Sequence, residues 1–334
     1  MSSPVGERRR VSPWWPLIAI WGGAVLLVVV GFVVTVAALN ATIYSASGFA
    51  KSYVSAVDRG DVTSALELAG VTPGDGLGDA LLRVPSKGGF DDVHTVGDVA
   101  IGGGAHAVTL GYTLDGIAIE SQFVVTGARS NFGVFSSWTF LQPPTATVSI
   151  TPQHDPRFTA DGTTVTTEQA GVATAFTVLA PSRFSITHDS TFLTAPAVQV
   201  VAGSVGATTE AQVETQAKAS FVKTVQTQLD DQLTKDCITQ KVLFPAGCPF
   251  GRQVDDRLLS DPTWTMPQLP VVQIVPSTTP GQWLVPGVEG TAHVTMNAQS
   301  LFDGRKYAID EDVPFTVSYA ITIGTDDTIA ITAQ

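Results

Sequence analysis

Two cysteines, five histidines and a few acidic clusters are the residues of this chain with chemistry to offer. Cys237 and Cys248 stand in CITQKVLFPAGCPF. Zinc sites need four ligands, typically with Cys-x2–4-Cys spacing, and redox-active pairs use Cys-x-x-Cys; neither spacing occurs here. The expectation is a structural disulfide. Closing a loop of about a dozen residues, it contributes roughly 3 kcal/mol on the loop-entropy estimate. The histidines are His94, His106, His154, His188 and His293. His154-Asp155 and His188-Asp189 fall in one strand-rich segment and could share a metal. Neighbouring strand residues point to opposite faces, so each pair offers one ligand unless it sits in a turn, and no metal or other cofactor is expected.

Asp230-Asp231, Asp255-Asp256 and Asp310-Glu311-Asp312 read as solvated surface. The chain contains no Gly-x-Ser-x-Gly, no His-Glu-x-x-His and no glycine-rich nucleotide loop, so no catalytic residue is assigned. Arg59-Gly60-Asp61 spells the integrin-binding tripeptide. A helix-ending glycine followed by a helix-capping aspartate gives the same three residues, and a rigid interhelical turn does not display them on a loop tip. The segment PAGCPFGR, with Phe250, together with Trp264 and Trp283, is the candidate recognition surface, because tryptophan is enriched at binding hot spots. Packing of both tryptophans beneath that loop is the alternative, since large aromatics are mostly buried.

These residues must be carried by something, and the first element is the plainest. Leu17 to Leu39 is a run of uncharged, mostly apolar residues that follows Arg8-Arg9-Arg10. About 20 such residues suffice to cross a hydrocarbon core roughly 30 Å thick. Trp14 and Trp15 stand at the interfacial aromatic position, and the arginines hold the N-terminus in the cytoplasm. Residues 1–16 are then a cytoplasmic tail, 17–39 a single membrane span, and everything after Asn40 extracytoplasmic. A cleaved secretory signal is the rival, but its apolar core is usually ~7–15 residues, and the best cleavage site, Val36-Ala37-Ala38, is mediocre.

Formal net charge is −12; without Glu7 and Arg8–Arg10 the outer part keeps 15 basic and 29 acidic residues, a charge of −14. That balance argues against nucleic acid, which requires clustered Lys and Arg, and equally against docking on anionic lipid headgroups. The expected partners are the lipid bilayer, through the N-terminal helix, and an envelope protein or small ligand. Only 14% of residues are charged, and abundant Thr, Val and Gly favour strands and turns. Scarce lysine and this compositional bias point to a high-GC bacterial genome.

Ser47 to Gly70 reads as two short helices, with Phe49, Tyr53 and Val57 on one face of the first. A short helix near Leu77–Val84 precedes four strands at Val93–Ile101, His106–Leu114, Ile117–Thr126 and Phe132–Leu141. FAKSYVSAVDRGDVTSALELA, followed by a four-strand meander, resembles the nuclear-transport-factor-two-like superfamily. In particular it looks like the membrane-tethered, uncharacterised actinobacterial members, over residues of about 41–145. The resemblance implies a cone-shaped α+β roll; enzymes of the family place an Asp, His or Tyr inside the cone, and no residue here aligns with one.

Pro143-Pro144 marks a boundary. Residues 145–205 read as a small all-β module, and 206–334 as a domain with a long helix at Thr209–Asp236 and a final antiparallel sheet. The apolar stripe of that helix is Ala217, Phe221, Val225, Leu229, Leu233 and Cys237. Strands are expected at Val271–Val275, Gln282–Val285, Ala292–Ser300, Tyr307–Ser318 and Ala320–Ile331. The fold class is α+β, one transmembrane helix followed by strand-rich extracytoplasmic domains. The functional expectation is a membrane-anchored, non-enzymatic interaction or ligand-binding protein of a bacterial cell envelope. The alternatives are an envelope enzyme with a cone-shaped pocket in residues 47–141 and a signalling accessory subunit.

Overall fold

A computed structural model describes residues 14–86, 88–114, 116–128 and 135–334. Arg8, Arg9 and Arg10 lie outside the described residues, as does the side chain of Trp15; Trp14 is exposed. The chain is mixed α+β and divides into two compact units. The first comprises residues 1–72, 88–144 and 203–205, and the second residues 73–87, 145–202 and 206–334.

In the first unit, α1 (Trp15–Ala41) is apolar on every side. Its Ile20–Ala41 stretch has a mean hydropathy of 2.6 and no buried residue, and among the described residues it is the one helix long and apolar enough to cross a membrane. A helix that is apolar all round needs an apolar surrounding. The chain then turns sharply into α2 (Ala46–Asp58), where Ser45 caps the helix by accepting the Gly48 N–H. Gly48 is required there, because a Cβ would collide with the carbonyl oxygens of Thr42 and Ile43.

The turn into α3 (Val62–Ala69) is the Arg59-Gly60-Asp61 sequence. Gly60 takes φ +67°, and Asp61 caps α3 through the Ser64 N–H at 3.1 Å. The tripeptide is thus employed as a helix junction. Opposite the helix pair lies an antiparallel sheet, β1 (Phe90–Gly102), β2 (Ala105–Leu114), β3 (Ile117–Gly127) and β4 (Trp138–Phe140), in that spatial order. Tyr53 from α2 meets Phe123 and Phe140 edge-on, and its hydroxyl donates to the Pro144 carbonyl.

In the second unit, a 3-10 turn at Leu77–Arg83 packs on the first of two facing sheets. That sheet has β5 (Thr145–Gln153) at its centre. The other contains β6 (Arg157–Ala160), β7 (Thr163–Thr166), β9 (Ser182–Asp189), β10 (Leu193–Ala202) and β12 (Gln216–Ala217). β5 pairs antiparallel with β8 (Thr174–Leu179) and parallel with β11 (Thr208–Glu214). Phe158 and Phe176 join the two sheets through a T-shaped contact at 5.7 Å.

β11 corrects the expected helix at Thr209–Asp236. Residues 208–214 alternate, with Ala211 and Val213 buried, and lie alongside Thr147–Gln153. The Glu, Ala and Gln residues there are good helix formers, but a distant strand partner overrides local propensity. The helix α4 runs only from Ala219 to Asp231 and ends in one π turn, Gln232–Cys237. Its buried stripe is Phe221, Val225, Leu229, Leu233 and Cys237. β11 belongs to the sheet of β5, and residues 145–202 and 206–334 fall in the same compact unit.

The last sheet is built on β16 (Gln282–Gln299) and β17 (Lys306–Ile323), an antiparallel hairpin of 18-residue strands. Pro286-Gly287, which reads as a break between two strands, is a bulge within one: Val285 faces Tyr319 and Val288 faces Val317. Three short strands follow one another along the far side of β16, namely β13 (Arg257–Leu258), β14 (Thr263–Gln268) and β15 (Val275–Pro276). The strand expected at Val271–Val275 is reduced to Val275–Pro276. β18 (Ile329–Ala333) pairs with the final turn of β17 at residues 319–323 and forms the edge.

Candidate functional site

Cys237 and Cys248 are joined, with their Cα atoms 5.7 Å apart. The bridge ties the end of the π turn to the Pro245–Pro249 turn. Phe250, Trp264 and Trp283 do not form an exposed recognition surface. Phe250 keeps 5% of its surface, Trp264 2% and Trp283 1%. Trp264 donates its indole N–H to the Val242 carbonyl at 2.9 Å and packs against Phe250. Trp283 meets His154 at a tilt and Phe221 edge-on.

The paired His-Asp sequences converge only in part. Asp155 and His188 are both buried, with Oδ2 3.7 Å from Nε2. Asp155 is already saturated by Arg157, which reaches it through N, Nε and Nη2 at 2.7–2.9 Å. That hydrogen bonding to Asp155 holds the Arg157 guanidinium above its usual range. His188 Nδ1 donates to the Arg157 carbonyl, and Ser190 Oγ lies 3.0 Å from Nε2, the reach of a nucleophile and its base. Ser190 Oγ also accepts the Leu193 N–H that closes its own turn, so it is a structural hydroxyl. His154 faces Trp283 instead, and burial pushes its pKa down.

His106 bonds Asp98, His94 stands against its own strand, and His293 lies between Asp312 at 2.8 Å and Asp310 at 3.0 Å. The Asp312 hydrogen bond raises the His293 pKa. Among the described residues no three His, Cys, Asp or Glu side chains are grouped to hold a metal ion. The remaining acids serve local contacts: Asp230 accepts from Gln226, Asp231 pairs with Lys235, Asp255 accepts from Gln253, and Glu311 pairs with Arg252. Between the helices and the sheet of the first unit, Tyr53, Leu110 and Phe123 fill the interior with apolar side chains.

The feature that motif reading missed is a groove beside the disulfide. α4 and its π turn form one wall, and β17 with β18 forms the other. Val225, Leu229, Tyr319 and Ile331 line a first hollow of about 330 Å3. Gln232 and Tyr319 are shared with a second hollow of about 390 Å3 that extends to Gly247, Pro249, Thr316 and Ser318. Gln232 Nε2 donates to the Gly247 carbonyl at 3.0 Å, coupling the π turn to the disulfide loop. π turns occur frequently at functional positions.

Of the side chains lining these hollows, Tyr319 alone titrates, and burial pushes its pKa up. Among the described residues no acid–base pair of side chains lines the groove. What it offers instead is apolar surface, amides and hydroxyls, beside β18, whose outer backbone groups have no ladder partner among the described residues. Helix, groove and free strand edge together are the geometry that receives an extended chain. Comparison with protein-family models, with curated proteins and with solved structures found no significant match to this chain.

Proposed function

We propose that this protein is a membrane-anchored, extracytoplasmic interaction protein of a bacterial cell envelope, and that it binds a partner rather than transforming a substrate. The observation that carries the reading is the chemistry of the groove: Val225, Leu229, Tyr319 and Ile331 with glutamine neighbours, and one titratable group far from neutrality. A site of this composition holds a ligand by burial and hydrogen bonding, whereas general acid–base catalysis needs groups that exchange protons near the working pH. The apolar helix α1 supports the anchor. The Cys237–Cys248 bridge supports an oxidising, extracytoplasmic location for the strand-rich part. The α2–α3 pair and the β1–β2–β3–β4 meander are in keeping with a nuclear-transport-factor-two-like roll in the first unit.

The test is mild cross-linking on intact cells, followed by purification of the tagged full chain and mass spectrometry of what accompanies it. An envelope partner is expected with the wild-type protein and is expected to disappear with Ile331→Glu, which places a charge in the groove. A partner set unchanged by Ile331→Glu would remove the groove from the proposal. Protease added to the same cells is expected to digest the part after Asn40; protection of that part would reverse the orientation.

A further inference from the structure

β18 is the outer strand of its sheet, and its ladder with β17 fixes which backbone groups face outward. Gly324 N–H donates to the Thr328 carbonyl and Gln334 N–H to the Ser318 carbonyl, one at each end of that pairing. Hydrogen-bonded and non-hydrogen-bonded positions alternate along an antiparallel pair. Ala330 and Thr332 therefore turn their N–H and C=O groups toward Thr322 and Ala320. Ile329, Ile331 and Ala333 turn theirs the other way, and these groups have no hydrogen-bond partner among the described residues. The free edge offers three donors and three acceptors in a row.

The same residues line the groove. Ile331 and Ala333 face the hollow walled by Val225, Gln228 and Leu229 of α4. A strand added beside β18, about 4.8 Å farther out, sets every second side chain over that helix. The edge also lacks the devices that close its neighbour. Lys306–Val317 of β17 carries Asp310, Asp312 and Pro314, whereas Ile329–Ala333 has neither a charge nor a proline. The acids of the preceding turn are engaged, Asp327 by Arg157 and Asp326 by Thr328. In a strongly acidic outer part, this edge and its hollows are lined without an ionised side chain.

We propose that β18 takes up an extended, uncharged segment of a partner protein as a further strand, hydrogen-bonded to the backbone of Ile329, Ile331 and Ala333, with apolar side chains at alternate positions against Val225 and Leu229. Main-chain hydrogen bonds give such a complex its affinity, and the alternate side chains give it selectivity. A charged side chain at those positions loses water beside apolar groups and amides and gains no counter-ion, so the lining rejects it. The second hollow, with Gln232, Thr316 and Ser318, suits an uncharged polar side chain at one end of the segment. The inference rests on the groove reading and names what the groove holds.

The experiment pans a displayed library of random peptides against the full chain in nanodiscs, and a synthetic peptide from the selected set is the probe. Selected peptides are expected to be uncharged, with apolar residues at every second position. On binding, the amides of Ile329, Ile331 and Ala333 are expected to slow in residue-resolved hydrogen exchange, while those of Ala330 and Thr332, already in the ladder, change little. Ala333→Pro removes one outward donor and leaves the ladder to β17 intact. It is expected to weaken binding about tenfold, whereas Thr332→Ser binds like the wild type. Binding that leaves the three outward amides exchanging freely, or that is unaffected by Ala333→Pro, overturns strand addition; if Ile331→Glu still abolishes it, the groove reading stands. A peptide indifferent to both variants removes the groove as well. Protection of the three amides that grows with protein concentration, without peptide, gives the edge to a second copy and overturns the proposal. Enrichment of no peptide over empty nanodiscs overturns it too, and leaves the groove to the cross-linking test.

Discussion

Arg157 and Asp327, 170 positions apart in the chain, are hydrogen-bonded at 2.8 Å between Nη2 and Oδ1. The same guanidinium holds Asp155. Arg157 therefore ties the start of β6 to the turn between β17 and β18, across the second unit.

Removing that guanidinium leaves Asp155 buried without its partner, since its side chain retains only 2% of its surface. Arg157→Met is expected to destabilise the protein by about 3–5 kcal/mol, the usual result of orphaning one member of a buried pair. Asp327→Asn, which leaves Asp155 paired, is expected to lose about 1 kcal/mol. Urea denaturation of the three proteins checks the order; equal stability of the wild type and Arg157→Met would contradict the clamp.

The disulfide closes a loop of sequence separation 11. Replacing both cysteines by serine is expected to lower stability by roughly 3 kcal/mol. The same shift should follow from adding a reductant to the wild type, and the reductant should leave the double variant unchanged. A peptide map without reduction should recover 237 and 248 in one linked species.

His293 gains its partners on folding, so its pKa is raised above the ordinary value of 6.5. The sign follows directly: its contribution is fully present below about pH 6.5 and is lost as pH rises through the raised folded-state value. Thermal unfolding of the wild type and His293→Gln should therefore differ most in mild acid and converge in mild alkali. A difference that grows with pH would show that another group controls it.

β17 pairs with β18 only at residues 319–323, so its Lys306–Val317 stretch has β16 on one side and no strand on the other among the described residues. The exposed face of that stretch carries Asp310, Asp312 and Pro314. Charges and proline are what keep open edges from pairing with other chains. Asp310→Thr with Asp312→Thr is expected to produce concentration-dependent dimers or larger species in light scattering, while the wild type stays monodisperse at that edge.

Local sequence was a good guide wherever the physics was local. Gly60 and Asp61 are read directly from the chain as helix stop and start, and the φ +67° of Gly60 with the Asp61 cap bears this out. The stripe from Phe221 to Cys237 likewise marks a helix face because each member sees the next through one turn. Thr208–Glu214 defeats the same reasoning: its partner, Thr147–Gln153, lies about sixty residues back, and no local pattern encodes a parallel neighbour. The groove was illegible for a related reason, as Leu229, Gly247, Tyr319 and Ile331 come from four separate segments and none carries a motif.

By itself the sequence determined the apolar span, the pairing chemistry of Cys237 and Cys248, the capping of the helix pair and the strand-rich character of the remainder. These depend on residue type, length and near-neighbour spacing. Tertiary structure alone decided that Trp264 and Trp283 lie inside, that Pro286-Gly287 bends one strand instead of ending it, and that Leu301 and Phe302 stand outside. Burial is a property of what packs against a residue, and for these positions the packing partners, or their lack, lie far along the chain.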